Sequence, residues 1–158
     1  MTLLVGVNSY VSLADAVAYM ADRLYTDAWD SATSGQQEKA LIMAATALDS
    51  QNWKGVITSD DQAMAWPRSG VYDREGREVD SATVPQPVKD AQAEIALAIL
   101  AEDPADARDP AVKRMKAGSV EVEYRSALSA ASAIRGAALP LVKPFLVDAG
   151  GSSARMIP

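Results

Sequence analysis

Residues 87–102 read PVKDAQAEIALAILAE, and the reading of this stretch decides the fold. Pro85 and Pro87 bracket its start, where a helix tolerates proline because the first N–H groups have no intrahelical partner. After Glu94 nearly every position is apolar, so no wide solvent face is left. Such a helix is either the centre of a bundle or covered by another subunit. Asp103-Pro104 stops it, and DPADARDP (103–110) reads as a polar linker.

Two further helices are expected ahead of it. Ser12 is a good N-cap for LADAVAYMADRLY, in which Leu13, Val17, Met20 and Leu24 recur at helical spacing. This predicts a helix over about 12–27, with Asp15 placed where a capping-box acid bonds back. Trp29 and the turn-prone DSATSG follow. Ser34 or Thr33 can then cap a helix over roughly 34–50, whose inner stripe is Leu41, Ala44, Ala45 and Leu48. Ala40, Ala44 and Ala47 allow a neighbouring helix to approach closely.

Between these helices lies a stretch of about 35 residues, 51–85, without helical periodicity; loops of that length inside a compact domain are uncommon. It carries Trp53 and the segment AWPRSG (65–70). Its VYDREGREV (71–79) is suited to a short hairpin, with Gly76 free to take positive φ. C-terminal to the linker, Val120, Val122 and Tyr124 alternate with Glu121, Glu123 and Arg125, which is a strand signature. Residues 112–116 supply a partner strand through Ala117-Gly118, so 112–125 reads as a second hairpin. An Ala/Ser-rich spacer (127–138) leads to LPLVKPFL, a short hydrophobic helix interrupted by Pro140 and Pro144. The end, DAGGSSARMIP, reads as a flexible arm over 148–158. The expected organisation is a mainly α helical body, 1–147, followed by that arm.

Composition narrows the function. The 158-residue chain has no cysteine and no histidine. Disulfides, thiolate metal sites and the Ser-His and Cys-His nucleophilic systems are therefore excluded, and no catalytic, cofactor or metal site is expected. Absence of cysteine fits an intracellular origin. No apolar run is long enough to span a bilayer, and the start, MTLLVGVNSY, lacks a charged leader before a long apolar region. The acidic pairs Asp60-Asp61 and Asp73-Arg74-Glu75 lack the regular ligand spacing and closing Glu of a calcium loop.

The net charge of −6 is uneven: −4 over 1–50, −6 over 51–110 and +4 over 111–158. An acidic body with a basic C-terminal third is not the concentrated basic face of a free-standing nucleic-acid binder. It suits association in which a basic part of one subunit meets an acidic part of its neighbour. Lys113, Arg114 and Lys116 are the compact basic run, with a neighbouring subunit, DNA phosphate or plain solvent as the readings. For Trp53, Trp66, Pro67 and Arg68 three readings stay open. They fasten the long loop onto the body, contact another subunit, or stack on bases. The acidic company of the loop's aromatics weighs against the last.

NSYVSLADAVAYMADRL (8–24), QAMAWPRSGVYDREG (62–76), VPQPVKDAQAEIALAIL (84–100) and KAGSVEVEY (116–124) with LVKPFL (141–146) together resemble a tailed-bacteriophage family. Its members are head–tail adaptor, or connector, proteins, also described as DnaT-like single-stranded-DNA-binding proteins. The resemblance implies a helical adaptor body with a homo-oligomeric ring of about twelve copies beneath the portal protein, closed by cyclic symmetry. It implies tail or neck proteins below the ring and genomic double-stranded DNA passing through without sequence recognition. The location implied is the virion head–tail junction, after synthesis in the host cytoplasm. Arms of such adaptors dock on portal or neighbour. That assigns portal docking to Arg155, Met156, Ile157 and Pro158, and a neighbour or DNA contact to the 112–125 hairpin. The alternative function is that of a single-stranded-DNA-binding replication accessory protein.

Overall fold

The computed structural model describes residues 2–102, 115–117, 120–122 and 136–147. The elements are α1 (Leu13–Ala21), α2 (Asp27–Asp30), α3 (Ser34–Asp49), β1 (Val56–Ile57), β2 (Arg68–Ser69), α4 (Gln86–Ala101), β3 (Met115–Ala117), β4 (Val120–Val122) and α5 (Ala138–Val142). A 3-10 turn, Lys143–Phe145, continues α5. The fold is mainly α, with two small antiparallel strand pairs.

Helix α4 is the centre. It packs against α1, α2, α3 and α5, most extensively against α3, and it buries Val88 together with every residue from Ala91 to Leu97. The two polar members of that run have dedicated partners. Gln92 accepts from the Tyr10 backbone N–H at 2.9 Å and donates to Ser9 Oγ at 2.7 Å and to the Leu41 carbonyl at 2.8 Å. One amide side chain thus joins the N-terminal segment and α3 to the core without leaving a buried polar atom unpaired. Against it, α3 presents Leu41, Ala44, Ala45 and Leu48, all buried, and the small Ala40, Ala44 and Ala47 lie in the core as expected. Thr33 rather than Ser34 caps α3, in a reciprocal capping box with Gln36.

Helix α1 departs from the expectation. It ends at Ala21 instead of continuing to about 27, and its buried residues are Ala16 and Met20. Leu13 is half-buried, while Val17 and Leu24 are exposed. The apolar pattern fits either face, and polar contacts choose between them. Tyr19 Oη donates to Glu94 Oε1 at 2.8 Å, and Arg23 Nε pairs with the same oxygen. Arg23 also donates to the Leu24 carbonyl, and Tyr25 follows at φ 62°. Together these turn the chain out of the helix. Ser12 caps α1 by accepting from the Asp15 N–H, but Asp15 takes the Ser12 hydroxyl rather than its backbone N–H, so no capping box forms. The short α2 falls between the expected end of the first helix and the turn-prone DSATSG, where no separate helix is predicted; it buries Trp29.

The segment 51–85 remains free of helix, but it is not structureless. β1 pairs with β2 in the register Val56↔Ser69 and Ile57↔Arg68. The 71–79 hairpin forms as expected, with Tyr72 bridged to Glu78, Val79 N–H bonded to the Val71 carbonyl, and Gly76 at φ 77°. Pro140 does not interrupt α5, since it sits within the helix's first turn, where its missing N–H costs nothing; Pro144 lies in the following 3-10 turn. Of the hairpin expected over 112–125, β3 and β4 pair antiparallel through Met115↔Val122, Lys116↔Glu121 and Ala117↔Val120. Lys113, Arg114 and the arm 148–158 lie outside the described residues, as does most of the linker and spacer.

Candidate functional site

The long loop is fastened at an aromatic cluster. Trp66 meets Trp53 edge-on, with ring centroids 5.5 Å apart, and Phe145 from the 3-10 turn, 5.7 Å away. Trp53 and Trp66 are 7% and 2% exposed. Trp53 Nε1 donates to the Leu48 carbonyl at the end of α3. Trp66 Nε1 is buried with no partner among the described residues. The Trp66–Pro67 peptide is cis.

Arg68 holds the same loop from outside the cluster. Its guanidinium donates to three backbone carbonyls: Lys54 at 2.8 Å, Ala65 at 3.1 Å and Gly55 at 2.8 Å. Gly55 is required there: at φ +72°, an added Cβ would lie 2.2 Å from the Ser69 carbonyl oxygen. Asp49, at the C-terminus of α3, accepts from Tyr10 Oη and from the Ala65 N–H. Burial, with the Asp49 carboxylate beside it, pushes the Tyr10 phenol well above the ordinary tyrosine range. Tyr19 is raised in the same way, by desolvation and then by Glu94. Both phenols are held neutral and act as donors to carboxylates.

The C-terminal segment closes the cluster. Trp53 and Leu146 form an antiparallel bridge, flanked by Lys54 N–H to the Phe145 carbonyl and Val147 N–H to the Asn52 carbonyl, both 2.9 Å. The structure therefore brings Trp53, Trp66, Pro67 and Arg68 together as a loop anchor facing inward. None of the three tryptophans, Trp29 included, offers an exposed ring.

Charge is segregated. Residues 2–102 carry fifteen acidic and seven basic side chains, a net −8, whereas 103–158 carry six and eight, a net +2. Lys116 is placed on β3 opposite Glu121. Arg155, Met156, Ile157 and Pro158 lie outside the described residues. Among the described residues no group of three or more acidic side chains is arranged to hold a metal ion, and no helix is long and apolar enough to cross a membrane.

The sequence reading overlooked an open groove of about 600 Å³ beside the anchor, lined by Lys54, Gly70, Tyr72, Asp73, Arg74, Lys143 and Pro144. Lys54 and Lys143 come from distant parts of the chain and are brought together by the Trp53–Leu146 bridge and the Lys54 bond to the Pro144 carbonyl. The available signal was an aromatic and an arginine two positions apart on a hairpin with solvent exposure. A neighbouring groove of about 700 Å³ is lined by Asp49, Trp53, Ile57, Arg68 and Val147, among others.

A family model matches residues 2–157, nearly the whole chain; its description is "Putative DnaT-like ssDNA binding protein". The chain belongs to this family. No curated protein and no solved structure matches it. In this member of the DnaT-like family the two tryptophans of the long loop fasten the fold.

Proposed function

We propose that the protein is a non-catalytic DNA-contacting protein, in which a rigid acidic helical body presents a small number of basic side chains to phosphate. The observation that carries this reading is the family match over residues 2–157, whose description names single-stranded-DNA binding; the segregation just described says where cations are available for it. The tryptophans and Arg68 are engaged inside the fold, the body from 2 to 102 is net −8, and basic charge is in excess after residue 102. The family's description supports DNA as the partner and, in the finer form, a single-stranded-DNA-binding accessory role. Contact through few cations gives weak, salt-sensitive binding, because each phosphate neutralised adds one released counterion. The acidic body keeps the strand from adhering elsewhere.

A second reading, the head–tail adaptor of a tailed phage, is favoured by a specific feature. Leu4, Val5, Val7, Val17, Leu24 and Tyr25 are exposed within the first 25 residues, Leu24 at 76% and Tyr25 at 87%. Apolar side chains left in water at that density suit contact between copies. In that form the copies close into a ring under the portal, the basic segment meets a neighbour's acidic body, and genomic DNA passes through.

Two measurements on the purified full chain separate these forms. Native mass spectrometry gives the assembly state, and titrations with labelled single-stranded and duplex oligonucleotides at low salt give the affinity for each. Saturable, salt-sensitive binding by a monomer or small oligomer supports the accessory role. A closed ring of about twelve copies with no preference for single strands supports the adaptor. A monomer with no affinity for either kind of DNA contradicts both.

A further inference from the structure

The side chains of eight lysines and arginines are described. Three are committed within the fold: Arg23 to Glu94, Arg68 to backbone carbonyls, and Arg77 to Asp73 and Glu75. Of the other five, Lys54, Arg74 and Lys143 line one groove. The remaining two, Lys39 and Lys89, lie elsewhere, and Lys89 borders a groove containing Asp15, Asp22 and Asp90. On a body of net −8, such convergence of cations is a departure from its average.

The groove is also ordered. Lys54 is fixed by its backbone bond to Phe145 and by Nζ donating to the Pro144 carbonyl at 2.9 Å, which leaves two ammonium donors. The acidic member of the lining, Asp73, is occupied. It accepts from the backbone N–H groups of Arg77 and Glu75 and from Arg77 Nε, all within 3.0 Å. Those bonds and the Arg77 charge hold its carboxyl below the usual range. Arg77 thus offsets Asp73, and three cations face the groove. Tyr72 lies among them, 52% exposed. An accessible ring beside cations suits a strand whose unpaired base stacks while its phosphates meet the ammonium and guanidinium groups.

We propose that the groove formed by Lys54, Tyr72, Arg74 and Lys143 is a contact site for single-stranded DNA on the helical body. The proposal rests on the DNA-contacting reading above and gives that reading a place. Arg74 and Lys143 engage phosphates, Tyr72 stacks on a base, and Lys54 positions the backbone at the groove wall.

The test is fluorescence anisotropy of a labelled oligothymidylate with the full chain at about 50 mM salt, where sequence-independent binding near 10 µM is expected. The double variant Arg74→Ala/Lys143→Ala should bind about tenfold more weakly. Its log–log salt slope should fall by about 1.4, at about 0.7 per single-strand phosphate contact. Tyr72→Ala should also weaken binding about tenfold. The double variant Lys39→Ala/Lys89→Ala removes the same charge elsewhere and should change affinity less than about twofold. Tyr72, Arg74, Lys143 and Lys39 are exposed and Lys89 is half-buried, so melting temperatures should stay close to that of the wild type. Equal losses in the two double variants would reduce the effect to net charge and overturn the site. Wild-type binding that survives in the groove variants but is lost in Lys113→Ala/Arg114→Ala/Lys116→Ala would also overturn it, while leaving the DNA-contacting reading intact. Absence of binding by the wild type would end both. Duplex bound as well as single strand, with Tyr72→Ala neutral, would refute the stacking role.

Discussion

Trp66-Pro67-Arg68 and Tyr72-Asp73-Arg74 each place an aromatic residue two positions before an arginine, six residues apart on one loop, and the structure uses them in opposite ways. The first ring packs edge-on between Trp53 and Phe145, and its arginine donates to three carbonyls of the loop. The second ring stands in solvent, and its arginine has no hydrogen-bonded or ionic partner among the described residues. The difference arises from the backbone around them. The first triplet enters β2, where pairing with β1 puts the Lys54 and Gly55 carbonyls within reach. The second enters a tight turn closed by Asp73 and Arg77, whose hydrogen bonds stay within the turn. Residue type alone does not separate an anchor from a contact surface; the available backbone acceptors do.

The comparison is broken most severely at the first aromatic. Trp66→Ala should destabilise the fold by about 3–5 kcal/mol, the range for truncating a buried large aromatic, whereas Tyr72→Ala should change stability by less than about 0.5 kcal/mol. Urea unfolding of the two variants measures both, and equal midpoints would show that Trp66 is not an anchor. The arginines should repeat the contrast on a smaller scale. Arg68→Ala leaves three carbonyls without their donor and should cost about 1–3 kcal/mol; Arg74→Ala should be nearly silent in the same assay.

Much of this architecture is legible in the sequence. The capped, Ala-striped α3, the apolar α4 and the turn at Gly76 each combine a period with a stop signal, and they fall where expected. The failures share a physical cause, namely side chains acting across the fold. The face and end of α1 depend on Glu94, more than 70 residues away. Gln92 looks like a surface residue of α4 until Ser9, Tyr10 and Leu41 surround it. The anchoring role of Trp53 and Trp66 could be anticipated from acidic neighbours and Pro67, but the groove needs Lys54 and Lys143 side by side. Only long-range pairing provides that.

A smaller, pH-dependent effect sharpens the account of what faces inward. Tyr10 and Tyr19 both titrate above the ordinary tyrosine value of about 10 in the fold. In the unfolded chain they ionise near that value. The stabilisation from keeping them neutral is therefore fully present below about pH 10. It is lost as pH rises above this toward their folded values. Alkaline titration should show Tyr10 and Tyr19 ionising only as the fold melts. Ionisation of Tyr10 and Tyr19 near pH 10, ahead of unfolding, would place those two phenols in solvent.

The central claim is that DNA is met by outward cations and a tyrosine while every tryptophan serves the fold. Tryptophan emission during titration with unlabelled oligothymidylate at low salt, run beside the anisotropy of a labelled strand, tests it most directly. Anisotropy should rise to saturation while tryptophan emission stays within about a tenth of its starting intensity, because Trp29, Trp53 and Trp66 are buried and only an exposed ring can stack on a base. Strong quenching in step with binding would put a tryptophan at the DNA and contradict the account.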